Sequence, residues 1–172
     1  ARLEPTSTFI RDSFVAVNKL SEEYHAETGR HAYTTPKTFL EMIALYAGLL
    51  ADRPAKVQAK IKALSDGVLK YEATGKAVAT LKEDGATKAK LELVQRRMQL
   101  LGSMASRWRN ALTMLEISMT TLVGDVLLAA AFVKYAGGFE GSFRTKLIDR
   151  AFLPFLKGLP FKEPADPLAV LT

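Results

Sequence analysis

The stretch from Leu91 to Leu122, LELVQRRMQLLGSMASRWRNALTMLEISMTTL, decides how this chain is read. Leu91, Val94, Met98, Leu101, Ala105, Trp108, Leu112, Leu115, Met119 and Leu122 recur at alternating spacings of three and four residues. This is the apolar seam of a coiled coil, which needs a partner of similar length. A second ladder lies just upstream: Val57, Ile61, Leu64, Val68, Tyr71, Gly75 and Val78, with Lys82 at the next position. Between the two stands Glu83-Asp84-Gly85-Ala86-Thr87, a polar break suited to a tight turn. The spacing predicts an antiparallel helical hairpin. Its second strand, from Lys88 to Val123, rises about 1.5 Å per residue.

The two strands differ in quality. Gly67 and Gly75 each cost roughly 1 kcal/mol of helix propensity relative to alanine. Gly75 also leaves a hole in the first seam. The expectation is a complete second strand beside a flawed first one, whose glycines lower the cost of moving between registers.

Outward from the hairpin, Thr6 to Thr28 reads as an amphipathic helix with Phe9, Ile10, Phe14, Val17 and Leu20 on one face and Gly29 as its C-cap. A second helix starts at Thr35-Pro36, a capping hydroxyl followed by a proline suited to the first helical position. Phe39, Leu40, Ile43, Tyr46, Ala47 and Leu50 are expected to bury one face, and Pro54 to end or kink the helix. After Gly124-Asp125 comes an apolar stretch, Val126 to Tyr135, then a glycine-rich loop. Ser142 is expected to cap a last helix running to about Leu156, with a proline-rich irregular tail beyond. No strand pattern competes, so the fold class is all-α. The expected organisation is 1–54, 55–84 and 85–123 as the two strand roots, and 124–172.

Composition narrows the function classes. The chain has 172 residues, 48% hydrophobic, which is ample for a core, and no cysteine, which excludes disulfides and thiolate metal sites. The start, Ala1-Arg2-Leu3-Glu4-Pro5, lacks the apolar region of a secretory signal, and the longest apolar run, Val126 to Val133, is far short of a membrane span. Residues 1–52 carry five Lys/Arg and seven Asp/Glu, residues 53–109 thirteen and five, and residues 110–172 six of each. The basic excess therefore sits on the hairpin, where it reads as a solvated coiled-coil exterior rather than a nucleic-acid surface.

Catalytic patterns are missing. Thr74-Gly75-Lys76-Ala77 fails as a phosphate-binding loop because Ala77 replaces the hydroxyl residue and the upstream glycine is absent. His25 and His31 straddle a helix end and share no face with a third ligand. Trp108, between Arg107 and Arg109, reads as a seam residue rather than a base-stacking platform. No enzyme activity is expected of the chain by itself, and neither nucleic acid nor membrane is expected as a partner.

Several stretches, in order, resemble dynein heavy chains. Tyr33-Thr34-Thr35-Pro36-Lys37-Thr38-Phe39-Leu40-Glu41-Met42-Ile43 resembles the helix before the stalk, and Phe14-Val15-Ala16-Val17 the segment ahead of it. Ser65-Asp66-Gly67-Val68-Leu69-Lys70-Tyr71 with Val78-Ala79-Thr80-Leu81 resembles the root of the first stalk strand, and Arg107-Trp108 the base of the returning one. Gly124-Asp125-Val126-Leu127-Leu128-Ala129-Ala130-Ala131-Phe132 with Tyr135, Gly137 and Phe139 resembles the entry to the fifth AAA+ module. Asn18 stands where the family often has histidine, and Phe152 where it often has tryptophan.

The resemblance implies a stalk base joining the fourth and fifth AAA+ modules of an ATP-driven, minus-end-directed microtubule motor. Ring and microtubule-binding tip would communicate by register shift in the stalk. It implies ATP/ADP and Mg as cofactors of the parent motor, and none bound by this chain alone. The implied partners are the rest of the heavy chain, dynein intermediate and light chains, and microtubules. The tip that contacts them is absent between the two roots. The implied location is cytoplasm and cytoskeleton, with the ciliary or flagellar axoneme preferred. It also places Lys37, in Thr35-Pro36-Lys37, at the position from which family members often turn an arginine toward nucleotide. A stand-alone helical-bundle adaptor is the alternative that the residues alone leave open.

Overall fold

The computed structural model describes residues 3–83 and 88–171, apart from the side chains of residues 3, 82 and 83. Helix α1 spans Leu3–Thr28. It stops at Gly29, whose φ of +68° is open to a residue without a Cβ and whose N–H donates to the His25 carbonyl at 2.9 Å. Helix α2, Pro36–Glu83, begins as its sequence predicts. The Thr35 hydroxyl accepts the Thr38 N–H at 3.2 Å, and Pro36 takes the first helical position, where a missing N–H is harmless.

Pro54 does not end α2, which runs through it as one helix of 48 residues. An interior proline forgoes one backbone hydrogen bond and costs about 3 kcal/mol. Here Leu49, Leu50 and Arg53 before it and Val57 and Ile61 after it are partly covered, and that packing offsets the local penalty. Helix α3, Lys88–Tyr135, is likewise continuous through Gly124 and Asp125, beyond the boundary the sequence suggested. The expected turn over residues 84–87 lies outside the described residues.

Helix α4, Gly141–Lys146, is capped by the backbone of Glu140, whose carbonyl accepts the Arg144 N–H at 2.9 Å; Ser142 falls one residue inside the helix instead of capping it. The chain continues as a wide π turn, Leu147–Phe152, and a 3-10 turn, Leu153–Phe155, which contains Pro154. Turns and irregular backbone follow. Among the described residues there is no strand.

Two compact units result. Unit 1 comprises Ala1–Pro54 and Thr120–Thr172; unit 2 is Ala55–Met119. The core of unit 1 collects Phe9, Val17, Leu20 and Tyr24 of α1, Met42 of α2, Leu127, Leu128, Ala131 and Tyr135 of α3, and Phe139, Phe143, Leu147, Phe152 and Leu156 beyond it. Aromatic rings knit it together: Tyr24 meets Phe143 edge-on at 4.8 Å, and Phe14 meets Phe39 at 4.9 Å. The inward face of α2 is not quite the expected one. Met42 is fully buried, whereas Leu40 is 64% exposed and Ala47 also faces out. Phe39, Met42, Ile43 and Tyr46 are spaced as one helical face, and Leu40 and Ala47 fall off its edge.

By length and composition α3 is apolar enough to cross a bilayer. Its most apolar run, Val126 to Ala131, is packed at 0–1% exposure inside unit 1. Over that run the burial is that of a core helix.

Candidate mechanical site: the hairpin seam and the tail across α3

In unit 2 the covered positions of α2 are Val57, Ile61, Leu64, Val68, Tyr71, Gly75 and Val78, with Ser65 and Gly67 beside them. On α3 they are Leu91, Val94, Met98, Gly102, Ala105, Trp108, Ala111, Leu112, Leu115, Ser118 and Met119; Leu122, the next rung, is buried in unit 1. One expected member departs. Leu101 is 39% exposed, and Gly102 takes its place.

The reason stands on the opposite strand. A Cβ on Gly102 would lie a tight 3.3 Å from the Tyr71 hydroxyl, so the tyrosine packs best over a position with no side chain, and Leu101 is turned aside. The same relation occurs twice more with the strands exchanged. A Cβ on Gly67 would meet the Trp108 ring at 3.0 Å, and one on Gly75 would meet Met98 Cε at 3.2 Å. The hole expected at Gly75 is therefore occupied by Met98. As numbers rise along α2 through 67, 71 and 75, their partners on α3 fall through 108, 102 and 98, which makes the pairing antiparallel. Trp108 is half-buried in this seam, not presented as a stacking platform. Outside the seam, Arg109 Nη2 donates to Glu72 Oε1 at 2.8 Å.

In unit 1 the irregular tail lies back across α3. Pro160 O sits 2.4 Å from where a Cβ on Gly124 would begin, so only glycine lets the tail backbone this close. The next residue fixes it: Asp125 Oδ1 accepts the Lys162 N–H at 2.8 Å, while its Oδ2 accepts the Thr121 hydroxyl at 2.7 Å. Further along, Arg53 Nη2 of α2 donates to the Leu171 carbonyl at 3.1 Å. The tail thus bonds to both long helices.

Residues 42–156 match the family model described as the microtubule-binding stalk of dynein motor. The chain belongs to this family. It is 37% identical over 106 residues, 59% of the chain, to human dynein axonemal heavy chain 17. It is 43% identical over 96 residues, 54% of the chain, to the flagellar outer arm dynein alpha chain of Chlamydomonas reinhardtii. With a cytoplasmic dynein heavy chain of Fusarium vanettenii it shares 34% over 128 residues, 67% of the chain. It spans 2–3% of the length of these relatives. The dynein stalk match takes in the whole seam and begins and ends on residues buried in unit 1, Met42 and Leu156. A stand-alone adaptor module is not favoured by these matches.

The dynein-like stretch at the start of α2 places Lys37 in the first turn, 85% exposed, with Nζ 3.9 Å from Glu41 one turn on. His25 and His31 stack ring on ring at 3.7 Å, and no group of three metal-ligating side chains exists among the described residues. Stacking is not a chelating geometry, because it turns the ring faces rather than the nitrogens toward each other. Sequence reasoning missed the tail contacts. A glycine followed by an aspartate inside an otherwise apolar helix was the available signal for a close backbone approach and its hydrogen bond.

Proposed function

We propose that this chain is the root of a dynein stalk and that its work is mechanical: it carries a change in α2–α3 register between an ATP-hydrolysing ring and a microtubule-binding tip. The observation that carries the reading is the antiparallel seam, in which a definite set of residues on α2 faces a definite set on α3. A two-stranded seam with discrete packing positions changes state in steps rather than continuously, which is what a transmission needs. The parent motor supplies ATP/ADP and Mg, and it meets microtubules through the tip and the intermediate and light chains elsewhere. The names of the axonemal and flagellar relatives favour a place in the axonemal cytoskeleton. Lys37 belongs to the same proposal, as a first-turn cation available to nucleotide phosphates of the fourth module.

The test is disulfide trapping in the full motor, with cysteine pairs at facing seam positions assayed in each nucleotide state. Different pairs are expected to trap in different states, and microtubule affinity is expected to follow the trapped pair. A single register trapped in every state would overturn the reading. For Lys37, the Lys37→Ala motor is expected to bind nucleotide at the fourth module more weakly, and unchanged affinity would remove that residue from the proposal.

A further inference from the structure

The three glycine contacts in the hairpin form a pattern that neither strand shows alone. Along α2 the sizes run small, large, small at Gly67, Tyr71 and Gly75. Facing them along α3, the sizes run large, small, large at Trp108, Gly102 and Met98. Each large side chain reaches to within 3.0–3.3 Å of the point where its facing glycine would carry a Cβ. We propose that these six residues are a register key, in which alternating sizes of opposite phase favour one alignment of α2 on α3 and penalise the alignments one step away. The proposal deepens the stalk-root reading and rests on it.

The penalty follows from moving the strands by one seam step, about four residues or 6 Å at 1.5 Å per residue. In one direction Trp108 moves from Gly67 to Tyr71 while Gly102 moves to Gly75. In the other, Met98 moves from Gly75 to Tyr71 while Gly102 moves to Gly67. Each move drives two of the largest seam side chains together and sets two glycines face to face over empty space. Overpacking and cavity formation are both unfavourable in a close-packed seam, and here one displacement produces both. The glycines of the first strand, which by helix propensity alone are defects, become the sockets that define the alignment. Register change at this level requires the indole of Trp108 to leave its socket first. Trp108 and Gly67 are therefore positioning residues of the transmission, and the key gives it a detent.

Disulfide trapping in the full motor tests the key, in a background freed of other reactive cysteines. The Glu72→Cys/Arg109→Cys pair reports the present alignment, in which the two native side chains touch at 2.8 Å. The Lys76→Cys/Arg109→Cys pair reports the alignment one step away. Replacing this exposed ion pair itself perturbs stability little. With the key intact, the first pair is expected to dominate in at least one nucleotide state. In that state Trp108→Ala and Gly67→Ala are each expected to lower the ratio of the first trapped species to the second by about tenfold, as losing or displacing a large seam side chain implies. Gly48→Ala, at a helix glycine with nothing within 4 Å of its added methyl, is the control and is expected to leave the ratio unchanged. Helicity by circular dichroism separates loss of register from loss of fold. Should Trp108→Ala unfold the hairpin, Gly67→Ala decides alone, because its methyl raises helix propensity. An unchanged ratio in the folded key variants overturns the proposal. A changed ratio with nucleotide-dependent microtubule affinity intact upholds the key and overturns the transmission reading, so the two failures are distinguishable.

Discussion

Pro160 O lies 2.4 Å from the position a Cβ on Gly124 would take, so the tail of unit 1 rests directly on the backbone of α3. Gly124→Ala gains about 1 kcal/mol of helix propensity. It also forces a backbone oxygen away, and overpacking of this kind costs about 1–3 kcal/mol. The oxygen belongs to a main chain that Asp125 holds in place at Lys162, so it cannot swing aside as a side-chain tip would. The expected outcome is net destabilisation, read as a lower urea midpoint, with faster hydrogen exchange at the Lys162 amide. A raised midpoint would show that the tail does not dock there.

Asp125→Ala removes the acceptor of both the Lys162 N–H and the Thr121 hydroxyl. Hydrogen bonds to a charged group contribute about 1.5–3 kcal/mol each, and the exposed position of the Lys162 bond favours the lower end. The loss is expected to fall on the tail, with limited proteolysis cutting beyond Phe155 before it cuts the helices. Simultaneous cleavage throughout would argue against a docked tail.

How much of this was legible beforehand depends on the kind of information each feature carries. The hairpin, the Thr35-Pro36 start and the Gly29 stop are written in local chemistry: periodicity, a capping hydroxyl and a positive φ. The local penalty at Pro54 predicts an end or a kink, and of the two the end is ruled out by a helix that continues through it with partly covered residues on both sides. Leu101 was misjudged because the ladder was read on one strand, and its displacement by Gly102 is decided by Tyr71 on the other. Gly67 was visible as a cost and became a socket only once Trp108 was seen above it. Met42 was passed over for Leu40, two residues away, because both are apolar and the choice between them is made by the angle at which α2 meets the core of unit 1.

Leu101→Ala trims a side chain that is 39% exposed and is expected to change stability by no more than about 0.5–1 kcal/mol. Leu112→Ala, within the covered seam, is expected to cost about 2 kcal/mol, the low end for leucine truncation because the site is only partly buried. Equal costs in thermal unfolding would return Leu101 to the seam.

Tyr135 makes unit 1 sensitive to alkali. Its ring packs 6.2 Å from Phe14 and 6.3 Å from Phe152, and its hydroxyl is buried with no hydrogen-bond partner among the described residues. Burial pushes its pKa up to about 12. A folded pKa above the unfolded value of about 10 means that the unfolded chain releases this proton first. The stability tied to the neutral phenol is therefore complete below about pH 10 and is lost as pH climbs toward 12. Tyr135→Phe is expected to stabilise the fold by about 1 kcal/mol at neutral pH by removing an unpaired hydroxyl, and to flatten the alkaline loss. A destabilised variant would show that the hydroxyl has a partner.

The ion pair of Arg109 with Glu72 is half-exposed on both sides, so its coupling energy in a double-mutant cycle is expected to stay below about 1 kcal/mol and to shrink as salt is added. A coupling of several kcal/mol, or one indifferent to salt, would mean that the pair is far less solvated than this geometry allows.

Unit 1 is written in two instalments, Ala1–Pro54 and Thr120–Thr172, with the hairpin between them. Its core can close only after the chain has travelled out and returned, and the bond from Arg53 to the Leu171 carbonyl is made across 118 positions. The entropy of closing such an excursion rises only with the logarithm of its length, by about 0.6 kcal/mol for each doubling. Contacts along a helical hairpin are made step by step from neighbours already paired, so zippering can draw the two instalments together before either has a core of its own. The hairpin is therefore also a folding device. The logarithm means that evolution can lengthen such an arm many times over while the unit at its base meets almost the same assembly problem.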